Sequence, residues 1–171
     1  MPLNTVSSWR TAHELIVDKN EDWRDYVNNM SGKALKLIEH DWDFSRRADQ
    51  IPPDGDWCLW LVMAGRGFGK TRMGAQWVRE KALADPQARI AIIGATLAEA
   101  RSVMVEGESG ILRISGDERP DWEPSLRRLK WNNGAVATLY SAAEPESLRG
   151  PQHSHAWADE VAKWQNGNAA W

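Results

Sequence analysis

The residues Gly69-Lys70-Thr71 combine a flexible backbone, a cation and a hydroxyl at the end of a glycine-rich turn. Glycines at 65, 67 and 69 let backbone N–H groups approach an anion, Lys70 adds positive charge, and Thr71 can ligate Mg²⁺. An apolar run, Trp57 to Met63, precedes the turn, and a helical pattern follows it. This order of strand, turn and helix predicts a cradle for the phosphates of a nucleoside triphosphate.

The turn departs from the pattern G-x-x-x-x-G-K-[ST] at its first position, where the chain has Ala64. The alternative interpretation is an ordinary glycine-rich turn with a surface lysine. Arg66, inside the turn, is placed to reach a phosphate or a carboxylate, although a solvated surface arginine is its alternative.

Two adjacent acids, Asp159 and Glu160, follow the short run His155 to Ala158, which has the composition of a strand. An acid at a strand end is the expected partner of a phosphate-binding turn, so Asp159 is predicted to hold Mg²⁺ and Glu160 to polarise the attacking water. A second acid favours hydrolysis over phosphoryl transfer to a small molecule. On their own, two such acids are more typical of a solvated turn.

Three weaker signals lie in the same half of the chain. Arg149, in the loop before that run, is a candidate for stabilising transition-state charge, although a loop arginine is often solvent-facing. His153 and His155 are too few for a zinc site. The basic cluster Arg127, Arg128 and Lys130 with Trp131 suits either a nucleic-acid contact or a solvated hairpin face.

The elements around these residues alternate between strand and helix, which predicts a parallel α/β sheet flanked by helices. We expect strands at about 57–63, 89–95 and 155–158, a helix at about 70–84, and a second helix capped by Thr96. Asn132-Asn133-Gly134 predicts a β-hairpin inserted between 126–131 and 135–140, and residues 107–124 look irregular. Residues 1–48 look helical, and a turn-rich connector starts at Asp49.

Composition sets broad limits. The chain has 171 residues and a net charge of −3, so one domain is the default and bulk charge gives no argument for nucleic-acid binding. No apolar run approaches the ~20 residues that span a bilayer, and a signal-peptide core is lacking. The single cysteine, Cys58, is expected in the core of the first strand. These features predict a cytosolic chain without a membrane partner.

Four collinear stretches resemble the ATPase part of a large terminase, the DNA-packaging motor of tailed bacteriophages, prophages and gene-transfer agents. They cover most of residues 44–164. The stretches are Asp49 to Trp57, Leu61 to Arg72, Val103 to Gly110, and Glu144 to Gln152 running into Ala158 to Trp164.

The resemblance implies a P-loop NTPase core of the RecA-like (ASCE) type over residues 49–171, using ATP and Mg²⁺. It assigns Asp159 to the metal with Thr71, Glu160 to the base, and Arg149 to ATP held by a neighbouring subunit. Gln50, with Arg47 nearby, falls where the family recognises adenine. Phosphate binding is assigned to Gly65, Arg66, Gly67, Phe68, Gly69, Lys70, Thr71 and Arg72.

The implied partners are double-stranded DNA, the small terminase subunit, the portal of the procapsid and further copies in a homo-oligomeric ring, in the bacterial cytoplasm. Family members continue into further ATPase strands and a nuclease domain, so we expect a truncated sheet and no nuclease site in this chain. Two alternatives stay open: another P-loop motor such as a superfamily 2 helicase, and a non-catalytic remnant that binds only nucleotide or motor subunits.

Overall fold

A computed structural model describes residues 31–32 and 41–165. The chain forms two compact units, Met1–Trp60 and Leu61–Trp171, and each is described by itself. Most of the helical segment predicted over residues 1–48 lies outside the described residues. The described part of the first unit contains helix α1, Trp42–Ser45, and a 3₁₀ turn, Ala48–Gln50. The domain boundary drawn at residue 48 stays a prediction.

The strand predicted at 57–63 is wrong. This run has irregular backbone, and the side chains of Leu59, Leu61 and Met63 are 67%, 68% and 86% exposed. An apolar run becomes a strand only where a neighbour completes its hydrogen bonds, and none of the five described strands pairs with it. Cys58 is accordingly exposed, not part of a core.

A mixed sheet of five strands forms the centre of the second unit, in the order β2-β3-β4-β1-β5. The strands are β1, Arg89–Gly94; β2, Asp121–Glu123; β3, Arg128–Lys130; β4, Val136–Ser141; and β5, His155–Ala158. β1 runs parallel to β4 and β5, whereas β2, β3 and β4 pair antiparallel. The α/β class is confirmed, and the sheet is mixed: two of its four strand pairings are parallel and two are antiparallel.

The hairpin predicted around Asn132-Asn133-Gly134 is present as β3 and β4, with Lys130 opposite Val136. It is not a separate insertion, because β4 lies beside β1 in the middle of the sheet. Asn133 Oδ1 accepts from the backbone N–H of Ala135 at 3.1 Å, which fixes the turn. The local turn residues predicted the hairpin, whereas its place in the sheet depends on long-range pairing.

Helix α2, Lys70–Ala84, has the predicted bounds. Its N-cap, Gly69, has φ 88°, a left-handed conformation that suits glycine. Gly74 lies so close to β5 that a Cβ added there would come within 2.2 Å of Trp157 Cε2. α2 therefore packs directly on the strand that carries the predicted acids. Within the described residues, no helix has the length and apolar character needed to cross a membrane.

The chain after β1 is more regular than predicted. Thr96 caps helix α3, Leu97–Glu99, as expected, and accepts from the backbone N–H of Glu99 at 3.2 Å. A π-helical turn, Ala100–Val105, continues it. Helix α4, Ile111–Ile114, then lies in the stretch expected to be irregular, because its three apolar side chains are buried in the core.

The core covers both faces of β1. Ile90 and Ile92 belong to the larger apolar cluster, whereas Ala91 and Ile93 belong to a smaller one with Tyr140 and Trp164. Successive strand residues point to opposite faces, so β1 is buried on both sides, as its apolar sequence predicted.

Candidate functional site

The carboxyl end of β5 meets the start of α2. Asp159 directly follows β5, and its backbone N–H donates to the Ile93 carbonyl at 3.1 Å, which extends the sheet by one residue. Thr71 Oγ1 donates to Asp159 Oδ2 at 3.2 Å. The structure thus brings together two predicted metal ligands that lie 88 positions apart in the chain.

Two glycines of the turn before α2 have a left-handed backbone. Gly67 and Gly69 have φ of 79° and 88°, values that other residues rarely adopt. Lys70 Nζ donates to the carbonyls of Ala64 at 2.9 Å and Gly65 at 3.1 Å. The ammonium group of Lys70 therefore lies over the turn. The next residue, Thr71, carries the hydroxyl that contacts Asp159.

Asp159 is a desolvated acid. Its side chain is 8% exposed, and burial raises the pKa of Asp159 above the ordinary aspartate value. The hydrogen bond from Thr71 opposes that rise in the pKa, while the nearby charge of Glu160 adds to it. A poorly hydrated carboxylate of this kind gains from an added cation.

The oxygen atoms at this point fit Mg²⁺ chemically. Thr71 offers a hydroxyl and Asp159 a carboxylate, and magnesium prefers hard oxygen ligands. Among the residues that the structure describes, no group of three or more acids, histidines or cysteines could hold a metal ion. Such a sparse set suits Mg²⁺, which is usually bound by one or two protein ligands together with waters and substrate phosphates.

Glu160 lies beside this pair at the rim of a cleft of about 140 Å³. Its backbone has φ 51°, also in the left-handed region. Lys163 Nζ lies 3.9 Å from Glu160 Oε2 and 3.2 Å from Glu99 Oε1. The cleft is lined by Thr71, Gly94, Ala95, Glu99, Val103, Met104, Asp159, Glu160 and Lys163.

Sequence reasoning missed two charged residues of this cleft, Glu99 and Lys163. Glu99 closes the Thr96-capped turn after β1, and Lys163 follows Glu160 by three positions. The i,i+3 spacing of Glu160 and Lys163 was the available signal. Nothing local connects Lys163 to Glu99, since that contact depends on β1 and β5 being neighbours.

The remaining predicted residues are not among those that line the cleft. Arg66 is exposed, and Phe68 and Arg72 are half-buried. Arg149 is 72% exposed and pairs with Glu146 at 3.0 Å within its own loop, outside the cleft lining. In the first unit, Gln50 Oε1 accepts from the Arg47 backbone N–H at 2.9 Å, so the adenine role of both stays a prediction.

The two histidines pack against aromatic rings, and the tryptophan of the basic cluster is buried. His153 packs edge-on to Tyr140 and His155 to Trp77, and burial lowers the pKa of both imidazoles. Trp131 is only 2% exposed, which makes it unsuitable for stacking on a base.

Comparison with known proteins gives one family. Residues 61–171 match the family model described as terminase large subunit, T4-like-virus type, N-terminal part. The searches of curated proteins and of solved structures gave no match. The match covers more than half of the chain and includes the turn, the cleft and both acids, so the resemblance to large terminases is confirmed.

Proposed function

Because the chain belongs to the large terminase family of phage DNA-packaging proteins, we propose that it carries an ATPase site that drives double-stranded DNA into a procapsid. The observation that carries this proposal is the 3.2 Å hydrogen bond from Thr71 to Asp159. It joins a phosphate-type turn to an acid at a strand end, the two parts that ATP hydrolysis needs at one place. The fold we propose for this unit is that of a P-loop NTPase.

The turn binds the phosphates of ATP in this proposal. Its backbone N–H groups and the N-terminus of α2 face the anion, and Lys70 exchanges its two carbonyl partners for phosphate oxygens. Thr71 and Asp159 hold Mg²⁺. When bound, the ion neutralises charge on the β- and γ-phosphates.

Glu160 acts on the attacking water, since it lies next to the metal-binding acid and opens onto the cleft. Arg66 and Arg149 add positive charge, Arg149 toward ATP of a neighbouring subunit in a homo-oligomeric ring. Gln50 and Arg47 contact adenine. The portal of the procapsid and the small terminase subunit complete the packaging machine, in the bacterial cytoplasm.

The family match bears on the first of the two alternatives, and an experiment addresses the second. A superfamily 2 helicase shares Lys70, Thr71, Asp159 and Glu160, but the family match favours packaging over strand separation. A non-catalytic remnant would bind nucleotide without turning it over, and the experiment below distinguishes it.

The test is ATP turnover by the purified chain, measured as phosphate release with and without Lys70→Ala. We expect Mg²⁺-dependent turnover in the wild type and none above background in the variant, because Lys70 is the charge that binds the phosphates. Lys81→Ala is the matched control, since Lys81 is a lysine of the same helix that pairs with Glu80 at 3.2 Å. Nucleotide binding without turnover would replace the enzyme with the remnant, and equal turnover in Lys70→Ala would contradict the site.

A second assay addresses packaging. Procapsids, double-stranded DNA and ATP are combined with wild-type or Lys70→Ala protein, and the nuclease-protected DNA is measured. We expect protection to be lost in the variant. Packaging at the wild-type rate would overturn the proposed role of ATP hydrolysis.

A further inference from the structure

Lys163 bridges the ends of two neighbouring strands. Glu99 follows β1 and Glu160 follows β5, and the Lys163 ammonium lies 3.2 Å from the first carboxylate and 3.9 Å from the second. β1 and β5 pair in parallel, so both acids emerge at the same edge of the sheet. All three residues of this bridge line the same cleft.

Both ends of this bridge are anchored. On one side, the backbone N–H of Glu99 donates to Thr96 Oγ1 at 3.2 Å. On the other, the backbone N–H of Lys163 donates to the Glu160 carbonyl at 2.8 Å. The next residue, Trp164, is buried and donates from Nε1 to the Asp159 carbonyl at 3.1 Å. The turn that carries Lys163 is thus fixed to the core directly behind Asp159.

Glu160 needs such a partner. Its side chain is 44% exposed, and its ion pair within the described residues is with Lys163. A glutamate in this setting rotates freely about its side-chain bonds unless a contact restrains it. Lys163, which is hydrogen-bonded to Glu99 at 3.2 Å, places a positive charge 3.9 Å from the Glu160 carboxylate and attracts the carboxylate to that side.

We propose that Lys163 is a positioning residue for ATP hydrolysis, which holds the Glu160 carboxylate toward the attacking water while Glu99 fixes the lysine. This inference rests on the proposed ATPase function. In this proposal Lys163 acts through Glu160 and not on the substrate itself. Its loss therefore lowers the rate of the chemical step and leaves nucleotide binding intact.

The kinetic test compares Lys163→Gln with the wild type. We expect kcat to fall by about tenfold, since a base that is present but misdirected loses part of its effect, while the KM for ATP stays within about twofold. Lys163→Arg keeps the charge and restores most of the rate. Lys81→Gln, which removes another exposed Glu–Lys pair of 3.2 Å, leaves both constants unchanged.

The double variant shows whether Lys163 acts through Glu160. Lys163→Gln added to Glu160→Gln causes no further loss, because the side chain that Lys163 positions is already inactive. An equal tenfold loss in that background would overturn the proposal. So would an unchanged or raised kcat in Lys163→Gln, or a rise in KM that accounts for the whole effect.

A second measurement needs no turnover. The ¹³C shift of Glu160 Cδ is recorded without nucleotide in the wild type, Lys163→Gln and Glu99→Gln. We expect it to change in both variants, and an unchanged shift in Lys163→Gln would overturn the proposal. Wild-type turnover that does not depend on Lys70 would instead contradict the proposed function, so the two failures are distinguishable.

Discussion

The two sides of the candidate site are held by different kinds of contact. On the strand side, Asp159 is buried and bonded through its backbone to Ile93 of β1, so the sheet and core fix it. On the loop side, Lys70 donates to Ala64 and Gly65, which lie six and five positions earlier in the chain. The strand side is thus built by tertiary structure, whereas the loop side is held by local bonds. In the proposed function, a phosphate would compete for those local bonds.

This difference predicts separable defects. Changes on the loop side should affect binding of the nucleotide, because the proposed function assigns the phosphates to that side. Changes on the strand side should affect the rate of hydrolysis or the stability of the fold.

Glu160→Gln should reduce ATP turnover by roughly 10²- to 10⁴-fold, the usual contribution of a general base, while nucleotide affinity is retained. The measurement is phosphate release together with titration of a fluorescent ATP analogue. Lys70→Ala is the comparison from the loop side and should lose both ATP turnover and nucleotide affinity. Undiminished hydrolysis in Glu160→Gln would remove this residue from the base role.

Gly74→Ala should destabilise the fold by about 1–3 kcal/mol, because the new Cβ overlaps the Trp157 ring. At Gly74, α2 packs on β5, the strand that precedes Asp159. A side chain at this position therefore pushes the loop side and the strand side of the site apart. The free energy of unfolding is measured with denaturant. Gly65→Ala is the matched control, since nothing lies within 4 Å of a Cβ there. Equal costs for both would contradict the close packing.

Thr71→Val should lower turnover roughly tenfold, because it removes one hydroxyl from a charged partner without changing the side-chain shape. The Mg²⁺ concentration for half-maximal turnover should rise, which a purely structural role of Thr71 would not cause. Thr71→Ser keeps the hydroxyl and serves as the control. An unchanged Mg²⁺ requirement would place the ion elsewhere.

Asp159→Asn should raise the melting temperature near neutral pH by a few degrees, on the order of 1 kcal/mol for a chain of this size. Burial raises the pKa of Asp159 in the folded state. At pH values between the unfolded-state pKa and this higher folded-state pKa, the folded chain therefore binds more protons than the unfolded chain. The stability of the wild type relative to the variant therefore falls as pH rises through the folded pKa.

The control for this comparison is Arg66→Gln on the loop side, an exposed position that should leave the melting temperature unchanged at every pH. A wild-type stability that rises with pH relative to Asp159→Asn would contradict the desolvation of Asp159.

Local pattern predicted much of this fold. The bounds of α2 and β5, the Thr96 cap and the Asn-Asn-Gly hairpin follow from caps, turn residues and apolar periodicity, which act over a few positions. The run 57–63 has the same apolar character as β1 but pairs with none of the five strands that the structure describes, and sequence does not reveal whether a partner is present. α4 was missed because its four residues are too few to show a helical period.

In the site, too, local patterns were predictable from the sequence and long-range contacts were not. The turn and the acids were recognisable one by one, and their family order suggested that they belong together. The bridge from Glu99 to Lys163 joins residues 64 positions apart through the pairing of β1 with β5. No spacing in the sequence indicates such a contact, so it emerged only from the folded chain.

The backbone of Glu160 illustrates a trade between activity and stability. A non-glycine residue with φ 51° costs on the order of 1 kcal/mol relative to an ordinary conformation, and glycine would avoid that cost. Glycine would also remove the carboxylate. The chain therefore tolerates an unfavourable conformation next to Asp159, as residues retained for chemistry often do. Directed selection of this protein for thermal stability alone would be expected to replace Glu160 early, and to remove the proposed catalytic base in doing so.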